Sequence, residues 1–149
     1  MNIEQILKIN SDLPLHKKVV INLLFTYGLI IGKLNEALKP HDISIQQFNV
    51  LRILRGQKGR PVTLAAIQER MVNKMSNTTR LVDKLVKKQY VTKSKNELNK
   101  RKIDIIITQQ GLDFLNKIDD FVETIEKEST SSLDTNEQLE LIRLLGKLR

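Results

Sequence analysis

The stretch SNTTRLVDKLVKK, Ser76 to Lys88, decides how the rest of this chain is read. Set on a helix, Leu81, Val82, Leu85 and Val86 share one side at spacings of three and four residues. Arg80, Lys84, Lys87 and Lys88 fall mostly away from that side. The first turn holds Ser76, Asn77, Thr78, Thr79 and Arg80, short hydrogen-bonding side chains followed by one long cation. Such residues read base edges in a groove of DNA. Taken alone, the helix is equally an ordinary amphipathic surface helix, and that plainer reading is the commoner one. Its neighbours change the balance.

Just upstream, Thr63 can cap a short helix from Leu64 to about Arg70, with Ala66 and Ile67 inward, and Met71 to Met75 reads as a turn. Two helices about a brief turn are the helix-turn-helix layout. The turn has no glycine; Asn73 offers tolerance of left-handed backbone instead. Just downstream the period changes to two. Tyr90–Lys95 is rich in β-formers, and Lys102–Thr108 places Ile103, Ile105 and Ile107 on one face. Between them NELNKR, residues 96–101, is polar and turn-like. The result is a hairpin with a basic end: Lys93, Lys95, Lys100, Arg101 and Lys102. A charge cluster on a hairpin is most often solvated surface or a protected edge. Directly after a helix-turn-helix it reads as a wing, its cations against phosphates and its tip against the minor groove.

Moving outward, Ser44 and Gln47 have capping-box spacing ahead of a helix whose core stripe is Phe48, Leu51 and Leu54. Gly56 and Gly59 end it, and Pro61 stiffens the loop beyond. Residues 1–13 form a short helix or arm. A long helix then runs from about Pro14 to Lys39, stopped by Pro40, and its middle is apolar almost all round. The run Val19–Ile31, interrupted by Asn22, Thr26 and Gly28, is shorter than the roughly 20 residues a membrane crossing needs. It is expected to be a buried helix of a soluble fold, covered partly by a second subunit. At the other end, Thr108 caps a helix to about Lys127 with a broad band from Leu112 to Ile125. A polar loop at Ser129–Ser132 follows, then a capping box at Asp134 and Glu137, then a leucine-rich helix from Leu139 to Leu148. That last helix, left alone, would show apolar surface to water, and a partner is the simplest remedy.

The 149 residues suffice for one domain with a core, and a 40% hydrophobic content argues against disorder. Twenty-five basic against 17 acidic residues leave a net charge of +8, which favours a polyanionic partner. Cysteine is absent, so disulfides, zinc–thiolate sites and thiol redox chemistry are excluded for this chain. That fits a cytoplasmic protein, as does an N-terminal stretch without a basic-then-apolar signal pattern. Enzymatic signatures are missing: there is no Cys nucleophile, no glycine-rich phosphate loop, no HExxH and no plausible Ser-His-Asp set. His16 and His41 are too far apart in sequence to indicate a metal site, and no cofactor is expected. Asp119 and Asp120 diverge on their helix and read as solvated charges.

The segment SNTTRLVDKLVKKQYVTK, the wing NELNKRKIDIIITQQG (residues 96–111) and the upstream ISIQQFNVLRIL together resemble the multiple-antibiotic-resistance regulator (MarR) family. The helix order extends the likeness over essentially the whole chain. The resemblance implies a mainly α fold with a small β-hairpin wing (α+β), one domain over residues 1–149. Residues of about 1–39 and 109–149 would be dimerisation helices, and about 44–108 a winged helix-turn-helix lobe. It implies a homodimeric transcriptional regulator, a repressor on a pseudo-palindromic double-stranded DNA operator. On matching positions, Ser76, Asn77, Thr79 and Arg80 take base or near-base contacts, and Arg101 is the wing arginine with Lys100 beside it. Lys84, Lys87, Lys93, Lys95 and Lys102 would neutralise phosphates. A small aromatic or amphipathic effector would bind near the dimer helices, with Asn22, Tyr27, Phe25, His16, His41 and Phe48 as candidate liners. No membrane role is implied. The competing reading is a winged-helix dimer serving as a protein-binding adaptor without sequence-specific DNA binding. One departure stands out: Asn96 and Asn99 occupy wing positions that are usually acidic, which predicts a looser, more positive wing.

Overall fold

The computed structural model describes residues 2–149. Helices α1 (Ile3–Ile6), α2 (Leu15–Leu38), α3 (Ile45–Gly56), α4 (Leu64–Arg70) and α5 (Thr78–Lys87) precede strands β1 (Val91–Lys95) and β2 (Ile103–Ile107); α6 (Gln109–Thr130) and α7 (Thr135–Lys147) follow. The architecture is mainly helical with one antiparallel hairpin, as the sequence predicts. The chain divides into two compact units, Ala37–Thr124 and the remainder, which joins the residues up to Glu36 with Ile125–Arg149.

The central unit has the better core. α3 begins at the expected capping box: Ser44 Oγ accepts from the Gln47 amide at 3.1 Å, and Gln47 Oε1 accepts from the Ser44 amide at 2.8 Å. That fixes the register in which Phe48, Val50, Leu51 and Leu54 are buried. They meet Ile67 of α4, Val82 and Leu85 of α5, and Ile105 of β2, all fully buried. Thr63 caps α4 by accepting from the Ala66 amide at 3.2 Å. A feature not foreseen is a third rung beside the hairpin. Val62 pairs with Ile105 through two backbone bonds of 3.0 and 2.9 Å, which anchors the loop after Pro61 to the wing.

α5 ends in a Schellman turn: the Gln89 amide bonds to Val86 O at 2.9 Å and the Tyr90 amide to Leu85 O at 3.1 Å. Gln89 sits there in left-handed conformation, φ 62°, where glycine is usual, and turns the chain directly into β1. Thr108 locks the far end of the hairpin. Its hydroxyl donates to Gln89 O at 2.7 Å and accepts from the Gly111 amide at 3.0 Å, capping α6 as expected. The first part of α6 belongs to this unit. Phe114 stacks on Tyr90 at 5.1 Å and meets His41 edge-on at 5.5 Å. Arg55 of α3 grips both carboxylate oxygens of Asp119, so the expectation that Asp119 is merely solvated is corrected. Sequence spacing could not see a partner 64 positions away.

In the other unit, Asn2 and Gln5 form a capping box for α1, and Ile3 is buried. Asp134 and Glu137 form the predicted box for α7, with bonds of 2.9 Å in both directions. One expectation for α2, that it is too short to cross a membrane, fails, and in the single chain the helix has little cover. Only Ala37 and Leu38, at its end, are buried, while Leu15, Val20, Leu24, Tyr27 and Leu29 are exposed. The helical segment Leu15–His41 also spans 27 residues and is long and apolar enough to cross a membrane by length and composition alone. Polar breaks as small as Asn22 and Thr26 do not stop a helix, so the apolar helix outruns its longest apolar run. α7 buries nothing either: Leu139, Leu141, Ile142, Leu144 and Leu148 all face water in the single chain.

Candidate nucleic-acid interface

The turn and helix that precede the wing are tied together by side chains rather than by glycine. Asn49 of α3 accepts from the Val72 amide at 2.9 Å. Asn73 accepts from the Met75 amide at 3.0 Å, so it serves as an Asx turn and does not adopt the left-handed backbone expected of it. Gln68 of α4 donates to Lys74 O at 2.9 Å and accepts from the buried hydroxyl of Thr78. This one glutamine clamps the turn to the first residue of α5.

α5 starts two residues later than the sequence predicts. Asn77 is its N-cap, accepting from the Arg80 amide at 3.1 Å. Ser76 lies before the helix, and its hydroxyl is buried without a hydrogen-bond partner. The cap engages one lone pair of Asn77 Oδ1 and leaves the Nδ2 donors for a ligand. Thr79 and Arg80 are exposed on the first turn, and Lys84 and Lys87 follow on the same side. Asn77, Thr79, Arg80, Asp83, Lys84 and Lys87 line one open depression. Arg80, Lys84 and Lys87 have no ion-pair partner among the described residues. Their opposite face, with Val82 and Leu85 fully buried and Leu81 and Val86 partly so, is the core stripe expected.

The wing holds the second group. Lys95, Lys100, Arg101 and Lys102 are exposed and lack an ion-pair partner among the described residues. Lys93 differs. Its ammonium lies 2.8 Å from the Asp83 carboxylate on α5, so part of its charge is already answered inside the protein. The tip is not loose, as the asparagines predicted. Asn96 Nδ2 donates to both carboxylate oxygens of Asp104, at 3.2 and 3.0 Å, and Asn96 Oδ1 accepts from the amides of Leu98 and Asn99, at 3.0 and 2.8 Å. Asn99 Oδ1 accepts from the Arg101 amide at 3.1 Å. The tip is organised by neutral amides, which leaves the cations of residues 100–102 free.

The effector candidates are dispersed. Asn22 and Phe25 share a groove with Ile3, Ile6, Lys18 and Leu29. Tyr27 and His16 are exposed, Phe48 is core, and His41 packs on Phe114. Among the described residues no cluster of His, Cys, Asp and Glu could hold a metal.

The profile of the MarR family matches residues 43–103, which covers the helix-turn-helix and most of the wing. The regulator PecS of Dickeya dadantii is 27% identical over 142 residues, spanning 92% of this chain and 84% of PecS. The transcriptional repressor MprA of Escherichia coli is 22% identical over 151 residues, spanning 98% of this chain and 86% of MprA. Among solved structures, a mutant of E. coli MarR in complex with operator DNA superposes with a TM-score of 0.78 at 27% identity, over 93% of this chain and 99% of that one. Bordetella bronchiseptica BpsR, whose DNA binding is regulated by 6-hydroxynicotinic acid, has the same fold, with a TM-score of 0.81 at 18% identity over 93% and 97%.

Proposed function

We propose that this chain is a DNA-binding transcriptional regulator of the MarR family rather than an enzyme, and that it works as a homodimeric repressor reading a pseudo-palindromic operator. The single observation that carries the residue assignment is the unpaired cationic face of α5, where Arg80, Lys84 and Lys87 stand with Asn77 and Thr79 around one depression. Arg80 supplies base readout in the major groove, since guanidinium can grip guanine through two donors. Lys84, Lys87, Lys95 and Lys102 neutralise phosphates and set affinity, while Lys100 and Arg101 work at the minor groove. Ser76 acts by shaping the approach to α5, because its hydroxyl is turned inward.

The exposed apolar faces of α2 and α7 support the dimer. A second copy would cover Leu24, Leu29, Ile142 and Leu148, each more than half exposed in one chain. The two-fold axis then dictates half-sites about one helical turn apart. A small aromatic or amphipathic effector would shift the spacing of the two reading heads, and the groove at Asn22 and Phe25 is its candidate seat. The protein would act in the cytoplasm, where its operator lies.

The test is selection of bound duplexes from a random pool, followed by titration of Arg80→Ala. The substitution lowers specific affinity by about 1–3 kcal/mol while non-specific binding falls far less. Equal loss of both would make Arg80 a phosphate contact. A monomer by ultracentrifugation at micromolar concentration would overturn the dimer.

A further inference from the structure

In the unit that carries α3 to the wing, the strongly exposed large apolar residues are Val72, Met75 and Leu98, at 86%, 91% and 99%. Phe121, at 55%, lies away from these elements on α6. All three sit on the two segments flanking the cationic face of α5: the turn before it and the tip of the wing. Each has its backbone amide held by an asparagine side chain, Val72 by Asn49, Met75 by Asn73 and Leu98 by Asn96. Single exposed apolar residues on a surface need no explanation. An apolar residue held at the apex of a hydrogen-bonded tip, next to unpaired cations, is a different case. The ordering that would oppose its burial in a groove is already in place before DNA arrives.

The geometry points to Leu98 as an apolar contact on the floor of the DNA minor groove, and so as a specificity-determining residue of the wing. This rests on the proposed reading that the wing enters that groove. Lys100 and Arg101 hold the tip at the minor groove, Lys95 and Lys102 meet the phosphates at its edge, and Asn96 fixes the loop that presents Leu98. In the minor groove an A·T pair leaves the floor free of donors, whereas G·C adds the guanine amino group. A leucyl group therefore packs on A·T and collides with the added amine. Leucine is also among the apolar side chains that wedge against base steps.

The experiment uses full-length protein and an operator selected from random duplexes, with affinity measured by fluorescence anisotropy over a range of salt. Leu98→Ala is expected to bind on the order of tenfold more weakly, with an unchanged dependence of log K on log salt, because no counterion is involved. Leu98→Met should retain most of the affinity. Replacing adenine by 2,6-diaminopurine under the wing adds the minor-groove amine; it should weaken the wild type severalfold and Leu98→Ala hardly at all. Wild-type binding with Leu98→Ala indistinguishable from it overturns this inference alone. A salt-dependent loss overturns it too, since that would mark an electrostatic effect. A wild type with no preference for any duplex overturns the DNA-binding reading, and this inference falls with it.

Discussion

The Asp83 carboxylate of α5 lies 2.8 Å from the Lys93 ammonium of β1. That ion pair joins α5, the helix proposed to enter the major groove, to the first strand of the hairpin. Among the described residues, Asp83 is the one carboxylate that lines the depression with Arg80, Lys84 and Lys87. The pair is part-exposed, 27% at the lysine and 50% at the aspartate, so its effect on stability is within about 1 kcal/mol. Its effect on binding is larger. Asp83→Asn should raise non-specific affinity and steepen the salt dependence by about one released ion, because Lys93 is freed and a repulsive charge is lost. Specificity, measured as the ratio of operator to random-duplex affinity, should fall.

The wing tip depends on the amide of Asn96. Asn96→Asp replaces a donor to Asp104 with a second carboxylate, and the two like charges cannot both ionise cheaply. One carboxyl of the pair then has a raised folded-state pKa. A carboxyl raised in the folded state destabilises it above that pKa and ceases to do so below the unfolded value. The variant should therefore lose about 1–2 kcal/mol near neutrality and recover on acidification. Thermal melts at a series of pH values read this directly, and a deficit that persists unchanged at acid pH would contradict it.

Gly111 is required by space rather than by backbone angle. A Cβ there would lie 2.4 Å from Tyr90 O and 2.8 Å from Ile107 Cγ1. The first neighbour is backbone, already bonded to the Thr108 amide at 3.0 Å, and cannot give way cheaply. Gly111→Ala should cost about 1–3 kcal/mol despite alanine's better helix propensity. Denaturant unfolding measures it, and a stabilised variant would refute the close approach.

The N-terminal arm is predicted to be pH-sensitive. A hydrogen bond from Lys18 holds the Glu4 carboxyl below its ordinary range, helped by a backbone hydrogen bond. Glu4, with Asp12, raises the Lys18 ammonium in turn. The depressed carboxyl contributes fully above its unfolded pKa, about 4.3, and its contribution is lost as pH falls through the lowered value. The raised ammonium contributes below about 10.4 and is lost as pH rises through its folded value. Chemical shifts of residues 3–7 should thus be constant across the middle of the range and move only at its two ends. Glu4→Gln should abolish the acid limb.

Much was legible locally. Ser44 with Gln47, Asp134 with Glu137, and the isoleucines of β2 are signals carried within a few residues, and helix and strand periods translate them directly. The face of α5 was legible for the same reason. Long-range partners were not: Gln68 clamping Thr78, Arg55 gripping Asp119 and Val62 pairing with Ile105 join residues whose neighbours in sequence say nothing of one another. The role of Asn96 does not follow from an acidic pattern, because its amide supplies both a donor and an acceptor to the tip.

From the amino-acid order alone came the element types, the caps, the net charge of +8 and which cations share a helix face, because those follow from backbone periods and side-chain chemistry over short spans. Only the tertiary structure decided which of those cations are free, that Ser76 turns inward while Lys93 is held by Asp83, and that Leu98 stands at the apex of an ordered tip. The physical reason is that a side chain's availability depends on what the fold brings within about 3 Å of it, and chain order leaves that distance unspecified.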